Sequence, residues 1–218
     1  KWYLFFFLYS EKYIRHNNAP YLREKTEKSS FSKEKYFSAL FSTLPNANFL
    51  SYEIGSLDYS KIRSQDLIIL ENINDINTGL VASLQEFIDA GKSLILFPGN
   101  NINYSTYGKL YNKYGIEFQS LDTTTKKVSK LNYQHPIYST VFDEIKENIN
   151  LPFVRENYVL KISSNSNTAS VITMNNQAPF LIETKENRGS IYTFTSSTNI
   201  KSSGFIKHAL FVPTILRI

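Results

Sequence analysis

Residues 66–100 read DLIILENINDINTGLVASLQEFIDAGKSLILFPGN. The run DLIILEN is apolar without interruption between its polar ends, as a parallel strand covered on both faces must be. In TGLVASLQEFIDAG, Leu80, Leu84, Phe87 and Ile88 recur at i, i+4, i+7 and i+8 and so share one side of an amphipathic helix. Asn77 or Thr78 is placed to cap its start, and Gly91 to close it in a left-handed conformation. SLILF follows at once as a second apolar strand. Parallel neighbours need such a helical crossover, so the stretch predicts a βαβ unit.

The pattern extends in both directions. Upstream, SKEKYFSALFSTL places Tyr36, Phe37, Leu40, Phe41 and Leu44 on one helical face, with Ser32 as N-cap and Pro45 after the last turn. NFLSYEI reads as a strand and LDYSKI as a short helical turn. HNNAPYLREKTEKSS is charged and reads as exposed. WYLFFFLY near the start reads as a strand; a membrane span needs about twenty apolar residues. The first residue is Lys1 rather than Met, which leads us to expect a fragment or a processed form. Downstream, STYGKLYNKYG predicts a short helix ending at Gly115, and IEFQSL a strand.

From about Thr123 the strands crowd together: KKVSKLN, YVLKISS, SVITM, PFLIETKE and GSIYTFTSS. Turn signals at 164–167, Asn175-Asn176 and Asn187-Arg188-Gly189 separate them, as in an antiparallel meander. SGFIKHALFVPTILRI is apolar at helical spacing, with Pro213 expected to break or kink it. No Gly/Ser-rich or Pro-rich connector divides the chain. A single domain over residues 36–218 is expected, preceded by a strand and polar segment over 1–35.

Composition narrows the chemistry. The 218 residues include no cysteine, which excludes disulfides, thiolate catalysis and zinc–thiolate sites. The net charge is +5, but the basic residues (Lys25, Lys28, Lys33, Lys35; Lys126, Lys127, Lys130) are spread out. Phosphate-backbone binding needs clustered charge, so no nucleic-acid partner is expected. P-loop, G-x-G-x-x-G and G-x-S-x-G patterns are missing, so no cofactor is expected. His16, His135 and His208 lie far apart and suggest no metal site. His135 precedes Pro136 and reads as a turn residue; His208 reads as structural.

One place remains for a ligand. Open parallel sheets bind at the carboxyl ends of their strands. There the sequence offers Glu71 and Asn72 after one strand and Gly99, Asn100 and Asn101 after the next. Successive N–H groups in PGNN can cradle an anion if Gly99 adopts a conformation other residues avoid. Ser105 and Thr106 read as helix N-caps. Tyr104, Tyr107 and Tyr111 fall on one face of the following helix; that face packs on the sheet or meets a partner.

In order, DLIILENINDINTGLVASLQEFIDAGKSLILFPGN, HPIYSTVF, APFLIETKENRGSIYTFTSS and FIKHALFVPTIL resemble the class I glutamine amidotransferase-like domain of Bacteroidetes membrane proteins. Those proteins are similar to the BatA family and carry transmembrane helices and a von Willebrand A-type region. The resemblance covers roughly residues 36–218. It implies an α/β flavodoxin-like three-layer sandwich with an added antiparallel β-rich second half. It also implies a place in the cell envelope, on the periplasmic side of the inner membrane, with membrane attachment through other parts of the protein. Active members of the superfamily carry a Cys on the elbow after the strand matching Ser93–Phe97, and a His and a Glu two residues apart after a late strand. Here the elbow is Pro98-Gly99-Asn100, and no His has an acidic residue two positions later. The expectation is therefore a non-catalytic interaction or sensory module whose partner is another envelope protein or another domain of the same chain. The alternatives are a small-ligand or anion-binding domain using the strand-end loops, and an enzyme with a relocated site at Glu71 or His135.

Overall fold

The computed structural model describes residues 18–23, 34–44, 47–139 and 150–218. The WYLFFFLY strand, His16, Ser32 and Pro45 lie outside the described residues. The first half comprises β1 (Asn18–Arg23), α1 (Glu34–Phe41), β2 (Asn48–Glu53), β3 (Leu67–Ile73), α2 (Thr78–Asp89), β4 (Ser93–Pro98) and α3 (Tyr104–Tyr111). The second comprises β5 (Ile116–Asp122), β6 (Lys126–Leu131), β7 (Phe153–Val154), β8 (Asn157–Ile162), β9 (Thr168–Met174), β10 (Pro179–Glu186), β11 (Gly189–Phe194) and α4 (Phe211–Arg217).

Nine strands form one mixed sheet in the order β2-β1-β3-β4-β11-β10-β9-β6-β7. The strands from β2 to β11 in that order are parallel. Those beyond β11 are antiparallel. The β-rich second half thus extends the first sheet and returns through β11 to the free edge of β4. β5 and β8 stand apart as a two-stranded antiparallel ribbon.

β3 and β4 are buried on both faces, as their unbroken apolar runs require. Leu67, Ile69, Ile95 and Phe97 point into a core with α1 and α4. Ile68, Leu70, Leu94 and Leu96 point into a second core with α2 and α3. Helices therefore cover both sides of the sheet. The first core is rich in rings: Phe97 stacks on Phe194 at 4.1 Å between centroids, and Phe37 meets both Phe97 and Phe211 edge-on.

The ends of α2 follow the sequence. Asn77 Oδ1 accepts the Leu80 N–H at 2.9 Å, and Gly91 takes φ +88°. The Gly91 and Lys92 N–H groups then reach the Ile88 and Phe87 carbonyls at 2.8 and 3.3 Å, the paired bonds of a Schellman motif.

Three expectations need correction. The polar segment read as exposed contains β1, which pairs with both β2 and β3. NAPYLR has no apolar run to mark it, and Pro20 argues against an interior strand; the two-sided pairing overrides both. SGFIKHALFVPTILRI is not one helix: Phe205–Lys207 form a single 3-10 turn, and α4 begins only at Phe211. Pro213 therefore lies in the first turn, where a missing N–H costs nothing. α3 starts at Tyr104, and its cap is Asn103 rather than Ser105 or Thr106. Asn103 Oδ1 accepts the Ser105 and Thr106 N–H groups at 3.1 and 3.4 Å.

Candidate functional site at the carboxyl ends of the strands

The loops after β3, β4 and β11 meet at one end of the sheet. The Gly99 N–H donates to the Ile73 carbonyl at 3.0 Å, and the Asn103 N–H to the Asn74 carbonyl at 2.7 Å. Asn74 Oδ1 also accepts the Asn101 N–H at 3.1 Å. The Tyr158 hydroxyl donates to the Gly99 carbonyl at 2.9 Å and accepts the Ile102 N–H at 3.3 Å. The N–H groups of Gly99, Asn101 and Ile102 are thus spent inside the protein, and the Ser105 and Thr106 N–H groups are spent on Asn103. The anion cradle expected of PGNN does not have these donors to offer. Nor does Gly99 take a positive φ; among glycines only Gly91 and Gly115 do so within the described residues. Glycine is needed at 99 for close approach, since a Cβ there would stand 2.0 Å from Asn74 Oδ1.

Glu71 is buried at the end of β3, not exposed on a loop. One of its carboxylate oxygens accepts a hydrogen bond from the Thr198 hydroxyl. Thr198 Oγ1 also lies 3.3 Å from Asn72 Oδ1, and Asn72 sits at φ 54°. Thr198 closes a buried polar run, Thr195 to Thr198, that follows β11 directly. Asn100 and Asn101 are exposed. Of the five residues expected to line a ligand site, the structure joins Glu71 to Asn72 through Thr198 and turns Asn100 and Asn101 to solvent. The pocket between Gly99, Tyr158 and Ser196–Ser197 is too narrow to admit a water molecule.

The tyrosine stripe divides. Tyr107 and Tyr111 are fully buried. The Tyr107 hydroxyl donates to the Ile73 carbonyl at 2.6 Å, and the Tyr111 hydroxyl bonds Thr193 Oγ1 at 2.8 Å. Burial pushes the Tyr111 hydroxyl well above the ordinary tyrosine range, partly opposed by the Thr193 bond. These rings pack against the sheet and against Phe118 of β5, so they form no partner surface. Tyr104 alone stays exposed, at 42%.

At the other end of β10, His135 and Glu183 form a buried pair, with Nε2 at 2.9 Å from Oε2. His135 Nδ1 accepts the Ile137 N–H at 3.4 Å, which leaves the proton on Nε2 to donate to Glu183. The other carboxylate oxygen accepts from Tyr192 at 2.6 Å and Ser190 at 3.1 Å. Burial favours the neutral acid, but the hydrogen bonds from His135 and Tyr192 and the charge of Lys185 outweigh it and hold the carboxyl down to about 2. Both ring nitrogens of His135 are engaged, so the pair is built as a cross-link between the 132–139 segment and the sheet. His208 follows the same pattern: Nε2 donates to the Asn150 carbonyl at 2.6 Å and Nδ1 accepts the Leu210 N–H at 3.1 Å.

Sequence reasoning missed Asn74, Tyr158 and Thr198, which lock the strand ends. It named His135 without joining it to Glu183, since nothing in a separation of 48 residues signals contact. Among the described residues no group of three or more His, Asp or Glu suits a metal ion. No helix among them is long and apolar enough to cross a membrane.

No family model matches the chain, and no curated protein matches it in sequence. Its fold does match solved structures. A ThuA-like protein from Parabacteroides merdae aligns with TM-score 0.59 and 9% identity, over 92% of this chain and 87% of its own. An IFT52 N-terminal domain aligns with TM-score 0.58 and 13% identity, over 89% and 93%. A β-galactosidase from Rahnella sp. R3 aligns with TM-score 0.58 and 12% identity over 87% of this chain, which spans only 30% of that enzyme. Likeness at such identity speaks for the fold alone. The ThuA-like neighbour has the class I glutamine amidotransferase-like fold, and the chain agrees with it at that coarse level: α/β, with a mixed sheet.

Proposed function

We propose that this chain is a non-catalytic, amidotransferase-like domain that serves a cell-envelope protein as an interaction or sensory module. One observation carries the reading. The elbow after β4, where an active relative holds its nucleophile, is Pro98-Gly99-Asn100, and Ile73, Asn74 and Tyr158 tie down its backbone. A nucleophile elbow needs the opposite, a side chain presented at a helix start with its base beside it.

The strand order supports the finer fold assignment. The parallel strands β2-β1-β3-β4-β11 follow the flavodoxin-like order 2-1-3-4-5, with helices on both faces. The envelope setting and periplasmic side rest on the motif-order resemblance to BatA-like proteins.

With Tyr107 and Tyr111 in the core, the contact surface we propose is Tyr104 and the outer side of β8. Tyr104 lies edge-on to Tyr158, with 6.2 Å between ring centroids, and Val159, which follows Tyr158 and points to the other face of β8, is 36% exposed. The test is capture from detergent-solubilised envelopes by the domain and by a Tyr104→Ala, Val159→Asp variant, read by mass spectrometry. A partner enriched over an unrelated bait and lost several-fold in the variant is expected. No enriched partner, or one indifferent to the variant, would refute the surface.

The second reading, a strand-end ligand site, has one observation in its favour. Ser196 Oγ and Asn157 Oδ1 are buried there without a hydrogen-bonding partner among the described residues. The narrowness of the pocket beside Ser196 ranks it below the first.

A further inference from the structure

A second cleft lies at the opposite end of the sheet. It measures about 700 Å³, within the range of small-molecule sites, and opens at the amino ends of β3, β4 and β11. The Asn187-Arg188 hairpin between β10 and β11 forms one rim, seated on the turn between α2 and β4. Two glycines permit that seating. A Cβ at Gly189 would stand 2.1 Å from the Ile88 carbonyl, and one at Gly91 would stand 3.1 Å from Arg188 Cβ. The contact sets Arg188 on the same cleft as Lys92.

The acidic side chains of the lining are already engaged. Asp66 is paired with Lys92 at 2.7 Å. Glu183 accepts from His135, Ser190 and Tyr192. Arg188 has no ion-pair partner among the described residues, and its guanidinium offers a fork suited to two oxygens of one anion. Leu216, partly exposed, supplies apolar surface in the lining.

We propose that this cleft binds a small organic anion, a carboxylate or phosphate ester whose oxygens meet Arg188 and whose apolar part lies against Leu216. Neither the vacated elbow nor the partner surface enters this inference, so it stands or falls separately from them.

The test is titration of the purified chain with inorganic phosphate, phenyl phosphate and benzoate at constant ionic strength, followed by calorimetry and by the amide signals of Ser93 and Ser190. Saturable binding is expected, at least several-fold tighter for a ring-bearing anion than for inorganic phosphate. Arg188→Glu should weaken it tenfold or more and Arg188→Gln less, while Arg63→Glu, on the exposed outer side of the α2 layer, leaves it unchanged. Preference for phenyl phosphate or for benzoate would assign the anion as phosphate or carboxylate. Signals that fail to saturate, or an affinity that Arg188→Glu and Arg63→Glu lower equally, would overturn the proposal.

Discussion

Asn74 Oδ1 fills the space that a side chain at residue 99 would need: a Cβ on Gly99 would meet it at 2.0 Å. The same oxygen accepts the Asn101 N–H, so one asparagine both excludes a side chain from the elbow and fixes the loop that follows. Gly99→Ala should therefore destabilise the fold by roughly 1–3 kcal/mol, the usual cost of overpacking. Asn74→Ala in the same chain should recover part of that loss. Urea unfolding of the two single variants and the double variant measures the coupling; strict additivity would mean that the two residues do not compete for space.

Tyr158 ties β8 to the elbow from the other side. Tyr158→Phe keeps the ring and removes the hydroxyl shared by the Gly99 carbonyl and the Ile102 N–H. The two backbone groups lose a buried partner, a cost of about 1–3 kcal/mol. Thermal unfolding should fall accordingly, and hydrogen exchange at Ile102 should quicken.

Glu183 makes stability depend on acid. Its carboxyl titrates near 2 in the folded chain against an ordinary 4.5. The folded value is depressed, so its contribution is complete above about pH 4.5 and is lost as the pH falls toward 2. The difference corresponds to about 3 kcal/mol at most. Glu183→Gln should flatten the pH dependence of stability across this window. An unchanged acid limb in chemical denaturation would show that His135 and Tyr192 do not favour the ionised form.

The tyrosines of α3 should separate cleanly. Tyr107→Ala removes a fully buried ring and should cost about 3–5 kcal/mol. Tyr104→Ala, at a half-exposed position, should change stability by no more than about 0.5 kcal/mol. Comparable losses at both positions would place Tyr104 in the core and remove it as a contact residue.

The parallel half of the fold was legible because its signals are local. Continuous apolar runs at Leu67–Leu70 and Leu94–Phe97, the α2 stripe, and Gly91 after it each follow from short-range chemistry. β1 was not legible, because NAPYLR becomes a strand only through partners on both sides. The candidate site was legible as a location and not as a geometry. Glu71 was named, but its tie to Thr198 spans 127 residues and no periodicity reports it. Gly99 was named for a backbone conformation it does not adopt; the Asn74 side chain is what demands a glycine, and sequence spacing does not aim side chains. The Tyr107–Tyr111 stripe was read at the right period, and only burial decides whether such a stripe faces core or solvent.

The most direct test of the vacated elbow is a turnover measurement. Purified domain, with Glu71→Gln and His135→Ala variants beside it, is incubated with glutamine and with activated ester and amide substrates. Turnover at the buffer rate in all three proteins is the predicted result. Turnover that co-purifies with the unmodified chain and disappears in either variant would contradict the non-catalytic reading and locate the chemistry at that residue.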